Sequence, residues 1–346
     1  MTAEERLARL WLVEGKTVRE VADELEISKS AAHRLIKRFR WDGHKGDTTL
    51  YASLYRDYEY DDQAPMLRPI EVKIPKRTTA KISSADQVSV HWGDTHFPFQ
   101  DQASINVLYE ITSRLEPDTI VCHGDVADMW QISDHRPPVE TSLKPHQISL
   151  QDTLQQSAEH LAQMASLAKN GAEKYFLEGN HEERWTRLLA DIQRNPKLRH
   201  LLFIPAISEV LTMPYLIGTD KMGYSYAPYY SGGDKIVLKD RLLIMHGYKA
   251  TMWASRSTLS DYGKSVIFGH THRIQSFTKR DLVGTIAAWN MGCLCDLDPS
   301  WRQHTNWAHG FTVVTWKKID GEWFFNTEQI RIHDGKALWR DNLIKG

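Results

Sequence analysis

Short apolar runs alternate with amphipathic stretches along the chain from about Val88 onward. Five of these runs end in a polar turn: VSVHWGD, TIVCHGD, KYFLEGN, LLIMHG and SVIFGH. Helical periodicity occupies the stretches between the early runs, at about Ala103 to Leu115 and about Leu150 to Lys169. Apolar strands that alternate with helices are typical of an α/β sheet that is covered on both faces.

The chain after His272 has a different pattern, with several strand-like runs and no long helical stretch. These runs are RIQSFTKRD, LVGTIAAWNMG, FTVVTWKK and WFFNTEQIRI. They predict a second sheet that packs on the first.

The amino-terminal segment is helical in pattern. Residues Thr17 to Glu20 form a capping box for a second helix, and Ser28 is a suitable N-cap for a third. The segment Thr17 to Arg38 resembles a helix-turn-helix, although Glu26 stands where glycine is usual. Its third helix would expose cations and short polar groups of the kind that contact DNA phosphates and base edges. These candidate contact residues are Lys29, Ser30, His33, Arg34, Lys37 and Arg38. A small three-helix bundle used for protein contact or dimerisation is the alternative.

The periodicity is lost between residues 43 and 86. A stretch of tyrosines and acids from Tyr51 to Asp62 leads into a segment rich in proline, lysine, arginine and threonine. Such a composition is typical of a linker. The sequence therefore predicts a helix-turn-helix-like domain at 1–42, a linker at 43–86 and a larger domain at 87–346.

Composition narrows the class of protein without indicating a partner. The 346 residues are 41% hydrophobic and 25% charged, which is ordinary for a soluble globular protein. The formal net charge is −1, so any basic surface that binds nucleic acid must be local. Three cysteines without a framework spacing argue against a disulfide-rich secreted protein. No signal peptide or membrane-spanning run is recognisable, so we expect a cytoplasmic protein that does not contact membranes.

Residues of the types that bind metals follow each of the five apolar runs. The clusters are Asp94-Thr-His96, Gly124-Asp125-Val-Ala-Asp128, Gly179-Asn180-His181-Glu182, His246-Gly247 and Gly269-His270-Thr-His272. Ligands of α/β sheets bind beyond the carboxyl ends of the strands, so we expect these clusters to meet. Imidazole and carboxylate without thiolate favour manganese, iron or zinc over calcium or magnesium. Two such ions side by side would suit hydrolysis of a phosphate ester.

Taken together, the clusters resemble the calcineurin-like metallophosphoesterase superfamily. Its pattern D-x-H, GDxxD, GNH[DE], H, GHxH is met at every position, and the resemblance extends from about Val88 to Ile332. It implies a four-layer α/β/β/α sandwich, here preceded by the small all-α helix-turn-helix domain. It also implies two divalent metal ions, with manganese preferred and iron or zinc as the other options.

The same resemblance assigns roles to individual residues. Asp94, His96 and His272 would hold the first ion, and Asn180, His246 and His270 the second, with Asp125 bridging both. His181 would lie at the scissile phosphate without being a ligand and would stabilise charge or protonate the leaving oxygen. Asp128 would orient His181 or a ligand histidine. A hydroxide that bridges the ions would be the nucleophile.

Several other residues near these clusters have more than one interpretation. Glu182 is interpreted as a structural residue at the helix that it precedes. His123 is interpreted as a structural residue, and His309 as a surface residue. Cys293 and Cys295 are interpreted as buried small hydrophobes. Arg184 and Arg187 are phosphate-binding or solvated helix residues. Trp301 and Trp307 are core residues or, less favoured, platforms for bases.

These features favour a two-metal phosphodiester hydrolase that cuts DNA and is targeted by its amino-terminal helices. The alternative is a phosphomonoesterase or small-nucleotide phosphodiesterase whose helices serve assembly, with a homodimer left open. A third option is a DNA-binding protein with a vestigial phosphoesterase fold, against which the complete ligand set argues.

Overall fold

The computed structural model describes residues 18–25, 27–28, 31–32, 87–134, 149–229, 235–280, 282, 284–299 and 305–346. In the amino-terminal part, helix α1 spans Val18–Glu24. The Ser28 hydroxyl accepts a hydrogen bond from the Ala31 backbone N–H at 3.2 Å, as expected of an N-cap. The six candidate DNA contacts and the linker lie outside the described residues, so the helix-turn-helix stays a prediction.

The first sheet contains six strands. They are β1 (Gln87–Trp92), β2 (Thr119–Cys122), β3 (Glu173–Leu177), β4 (Ser225–Ala227), β10 (Gly310–Ile319) and β11 (Glu322–Arg331). Their order is β11-β10-β1-β2-β3-β4. Strands β1 to β4 run parallel, whereas β10 pairs antiparallel with both of its neighbours.

The second sheet contains five strands. They are β5 (Lys235–Leu238), β6 (Leu242–Met245), β7 (Val266–Phe268), β8 (Ile274–Arg280) and β9 (Thr285–Met291), in the order β5-β6-β7-β9-β8. The prediction that all four late runs form the second sheet is therefore half wrong. Strands β8 and β9 do so, but β10 pairs with β1 and, with β11, extends the first sheet. The alternation of apolar and polar residues shows which faces of a strand are buried. Pairing with strands distant in the sequence decides which sheet the strand joins.

Six further α-helices occur among the described residues. They are α2 (Gln102–Leu115), α3 (Leu150–Leu167), α4 (Glu183–Arg194), α5 (Pro205–Val210), α6 (Met213–Leu216) and α7 (Ala254–Tyr262). A hairpin of β12 (Lys336–Trp339) and β13 (Asn342–Lys345) follows β11. The two helices predicted from periodicity correspond to α2 and α3. Among the described residues, none of the helices is both long and apolar enough to cross a membrane.

Three hydrophobic clusters separate four layers. The first joins α2 and α3 to the first sheet, for example Leu108 and Leu161 with Ile120. The second lies between the sheets and contains Val121 and Ile244. The third joins the second sheet to α7. Successive residues of a strand point to opposite faces, so a strand such as β6 contributes alternately to two clusters. The predicted α/β/β/α order is confirmed.

Candidate metal centre

The predicted ligands converge where the carboxyl ends of strands from both sheets meet. Asp94, Asp125 and Asn180 follow β1, β2 and β3 of the first sheet. His96 also follows β1. The other three ligand histidines follow strands of the second sheet, His246 after β6, and His270 and His272 after β7. The centre therefore lies at the seam between the two sheets and depends on their packing.

The first group of donors consists of Asp94, His96, Asp125 and His272, all buried. Their ligand atoms lie within 4.8 Å of one another. Nε2 of His96 is 3.0 Å from Nε2 of His272, which is 3.4 Å from Oδ1 of Asp94. Four donor atoms that face one small volume are the arrangement expected of a metal site.

The second group consists of Asp125, His246 and His270, and Asn180 joins it. Oδ1 of Asn180 lies 2.7 Å from Nδ1 of His270 and 3.1 Å from Nε2 of His246. Oδ2 of Asp125 is 3.4 Å from the same His246 nitrogen. Among the described residues, Asp125 is the carboxylate that links the second group to the first.

The electrostatics of the centre fit divalent cations. Burial alone would raise the pKa of Asp125, but His246 and His181 outweigh it and hold that pKa well below its usual range. Burial likewise opposes protonation of His246, but the charge and hydrogen bond of Asp125 raise the pKa of His246 to about 10. The buried carboxylates thus require positive charge at this place, which bound cations would supply. Mixed nitrogen and oxygen donors suit manganese, iron or zinc.

Backbone conformation at the predicted ligands is unusual. Positive φ angles occur at Asp94 (52°), His96 (50°), Asp125 (51°), His270 (69°) and His272 (61°). Residues other than glycine rarely adopt this left-handed backbone conformation. Each instance lowers the stability of the fold by on the order of 1 kcal/mol or more. Such conformations persist where surrounding contacts impose them, and here they direct donor atoms inward.

Two glycines permit the close approach of the carboxylates. A Cβ atom on Gly179 would lie 2.1 Å from Oδ1 of Asp125, and one on Gly269 would lie 2.3 Å from Oδ2 of Asp94. Any side chain at either position would displace a predicted ligand. This explains why glycine stands at these positions in the GNHE and GHTH turns.

Glu182 holds the turn that carries Asp125. Its carboxylate is buried and accepts backbone N–H bonds from Asp125 (2.9 Å), Val126 (2.7 Å), Ala127 (3.0 Å) and Gly179 (3.0 Å). The interpretation from sequence placed its role at the start of its own helix. The structure instead extends that role to a turn more than fifty residues away in the chain.

Replacing Glu182 by Gln should destabilise the metal-free protein by about 3 kcal/mol. Each oxygen of the Glu182 carboxylate accepts two backbone N–H groups. In the Gln variant an NH2 group replaces one oxygen, so two buried N–H donors lose their acceptor. Urea denaturation measures the change. Glu110→Gln is the control, because its ion pair with Arg114 is exposed and its loss should cost less than about 1 kcal/mol. Equal midpoints for Glu182→Gln and wild type would contradict this role.

Asp128 contacts two histidines at once. Its Oδ2 lies 3.1 Å from Nδ1 of His96 and 3.2 Å from Nδ1 of His181. Burial opposes ionisation, but both histidines lower the pKa of Asp128 far enough to keep it a carboxylate. With Nδ1 of His96 donating to Asp128, its Nε2 lone pair faces the first group, as a ligand histidine requires.

His181 differs from the predicted ligands because protein groups contact both of its ring nitrogens. Nδ1 donates to the backbone oxygen of Asp128 at 2.8 Å, and Nε2 lies 3.1 Å from Nη2 of Arg184. Burial lowers the pKa of His181, but Asp125 and Asp128 raise it above its usual value. Arg184 can only donate, so an unprotonated Nε2 accepts its N–H in this arrangement. Once protonated, Nε2 must leave Arg184 and donate elsewhere, and a phosphoryl oxygen would be such an acceptor.

The two arginines of α4 have different surroundings. Nη1 of Arg184 donates to the backbone oxygen of Asp128 at 2.6 Å, so this side chain belongs to the centre and is not a solvated helix residue. Arg187 lies about one helical turn after Arg184 and pairs with Glu183 of the same helix at 2.6 Å. Arg184 thus contacts two predicted site residues, Asp128 and His181.

A chain of hydrogen bonds through His123 connects the two sheets beneath the centre. Nδ1 of His123 must donate to the Met245 carbonyl (2.9 Å), so its Nε2 accepts from Nδ1 of His91 (3.2 Å). Nε2 of His91 then accepts the Ser89 hydroxyl at 2.9 Å. Burial lowers the pKa of His123 to about 3 and keeps its ring neutral.

The same residue also orients a predicted ligand. The backbone oxygen of His123 accepts a bond from Nδ1 of His246 at 2.6 Å, which turns Nε2 of His246 towards the second group. Sequence reasoning left His123 as structural and missed His91. The signal was present, because Ser89 and His91 are polar residues on one face of an otherwise apolar strand.

The remaining sequence interpretations have mixed outcomes. Cys293 and Cys295 are buried and free, and Sγ of Cys295 lies 3.7 Å from Nδ1 of His272. The prediction of a surface position for His309 is wrong, since it is buried and bonds to the Cys295 carbonyl at 2.7 Å. Trp307 is half-buried, with its ring centroid 4.2 Å from that of His272. Trp301 lies outside the described residues.

A comparison with models of protein families agrees with the family that the motifs predict. A family model described as calcineurin-like phosphoesterase matches residues 89–274, more than half of the chain. A search of curated proteins found no significant match.

Solved structures to which the chain is similar include Vps29 proteins of three organisms. A single mutant of Vps29 from Entamoeba histolytica is 15% identical over 70% of this chain and 99% of that chain, with a TM-score of 0.34. Vacuolar Protein Sorting 29 from Cryptosporidium parvum is 13% identical over 72% and 100%, also with a TM-score of 0.34. Chaetomium thermophilum Vps29 is 9% identical over 70% and 97%, with a TM-score of 0.36. Similarity this low carries no information on function, whereas the family match is direct: the chain belongs to the calcineurin-like phosphoesterase family.

Proposed function

We propose that this phosphoesterase is a manganese-dependent phosphodiester hydrolase that cuts DNA in the cytoplasm. The observation that carries the proposal is Asp125, which links two groups of buried and partly buried donors beside His181. Two divalent cations, when bound, supply an activated water and neutralise charge on the phosphoryl oxygens. In this arrangement Asp94, His96 and His272 would hold one ion and Asn180, His246 and His270 the other, with Asp125 between them.

The protein's own groups supply the other requirements of hydrolysis. Arg184 presents a guanidinium next to His181, where it can bind a non-bridging phosphate oxygen. His181 can then donate the proton on Nε2 to the oxygen that leaves, while Asp128 holds its opposite nitrogen.

Two features support DNA as the substrate and a reducing compartment as the location. The segment Thr17 to Arg38 resembles a helix-turn-helix with a basic third helix, which would bring the centre to DNA. All three cysteines, Cys122, Cys293 and Cys295, are free.

A phosphomonoesterase or small-nucleotide phosphodiesterase is the second candidate. It is favoured by Arg184, because a guanidinium beside a histidine suits the dianion of a terminal phosphate. In that case the amino-terminal helices would serve assembly, for example of a homodimer.

Hydrolysis by metal-free protein reloaded with manganese separates these candidates. We expect cleavage of labelled single- or double-stranded DNA and of bis-p-nitrophenyl phosphate, with no activity after chelation. Preferential turnover of p-nitrophenyl phosphate, with DNA intact, would select the phosphomonoesterase. Absence of hydrolysis of every ester with manganese, iron or zinc would overturn the enzymatic proposal.

A further inference from the structure

The loop that follows His246 carries a group of exposed apolar side chains. It runs from Gly247 to the start of α7 at Ala254. Tyr248, Met252 and Trp253 are 45%, 64% and 69% exposed within these few residues. Large apolar side chains gathered on an exposed surface often mark a binding site.

Hydrogen bonds fix this loop next to the candidate metal centre. Nη1 of Arg273, the residue after His272, donates to the Thr251 carbonyl at 3.0 Å. Nε2 of Gln275 donates to the Met252 carbonyl at 2.8 Å. The loop thus begins at one predicted ligand and is tied to the strand that follows another. Its exposed side chains stand on an ordered backbone beside the centre.

Charge and ring chemistry indicate what this surface binds. Nζ of Lys249 lies 5.5 Å from the centroid of the Tyr248 ring and also pairs with Asp261. Arg273 adds a second cation to the loop through its bond to the Thr251 carbonyl, two residues before Trp253. Aromatic faces interleaved with cations are the arrangement that binds single-stranded nucleic acid, with bases stacked on rings and phosphates near cations. A base within an intact duplex has no free face to stack on such a ring.

We propose that Trp253, with Tyr248, receives an unpaired base of a nucleic-acid strand whose neighbouring phosphodiester lies in the metal centre. This inference rests on the proposed function and specifies its substrate as a strand that is single or frayed at the cut. Small phosphate esters have no base to reach the loop, so they do not use it.

Binding of a fluorescein-labelled single-stranded oligo-dT, followed by anisotropy with metal-free protein, tests the inference. Trp253→Ala should weaken binding about tenfold, because the base would lose the ring on which it stacks. Trp253→Phe keeps a ring and should retain most of the affinity. Phe324→Ala is the matched control, because Phe324 is 53% exposed on β11 of the other sheet. Oligo-dT forms no duplex, so the amino-terminal helices have no double-stranded site to bind. The measured binding therefore does not include their contribution.

Kinetics with manganese provide the second measurement. Trp253→Ala should raise KM for the oligonucleotide about tenfold and leave kcat/KM for bis-p-nitrophenyl phosphate within about twofold of wild type. Unchanged oligonucleotide binding, or an equal loss with Phe324→Ala, would overturn the inference. So would an equal loss of activity towards the small ester. Failure of the proposed function is a separate outcome, because wild-type protein would then hydrolyse no ester while the binding comparison still decides the role of Trp253.

Discussion

Asp125→Asn should lower kcat/KM for bis-p-nitrophenyl phosphate by about a thousandfold or more and abolish binding of at least one of two manganese ions. Removing a residue that only supports a ligand typically costs about 10–100-fold in metal affinity or activity, so losing a ligand should cost more. Asp125 belongs to both groups of donors. An amide is nearly isosteric with the carboxylate but lacks the charge that offsets repulsion between two cations.

Metal content after gel filtration, together with kinetics, measures this effect. Asp191→Asn is the control, since Asp191 is an exposed partner of Arg194 on α4. Its metal content and activity should equal those of wild type. Retention of two tightly bound ions by Asp125→Asn would contradict the bridging role.

His181→Ala should lower kcat by about 10²–10⁴-fold, the usual contribution of a general acid, with metal content unchanged. Both ring nitrogens of His181 contact protein groups, Asp128 on one side and Arg184 on the other. The side chain is therefore expected to act on substrate and not as a ligand.

Leaving-group dependence distinguishes the two roles open to His181. If it protonates the leaving oxygen, the variant should lose more activity towards phenyl esters than towards p-nitrophenyl esters, because p-nitrophenolate leaves without a proton. If it stabilises charge, the loss should be similar for both. His200→Ala, at an exposed position, serves as the control. Wild-type kcat in His181→Ala would exclude both roles.

The resemblance of the motifs to a known family predicted the four layers, and the local pattern predicted the position of the centre. Strand alternation is a property of neighbouring residues, so β6 shows in its own sequence that both of its faces are buried. The motif residues follow strands directly, and a parallel sheet brings such ends together. The family, the four layers and the convergence of seven candidate ligands could therefore be predicted.

Only the tertiary structure decided which sheet each strand joins and what supports the ligands. Glu182 reaches a turn 57 residues away at Asp125, and His123 bonds to a carbonyl 122 residues away at Met245. The inward position of Arg184 depends on the turn that ends in Asp128. Such contacts have no periodic signal, because they arise when two sheets pack and bury polar groups that must then find partners. The sequence by itself determined which residues could bind metal, and the packing of the two sheets decided how they are held.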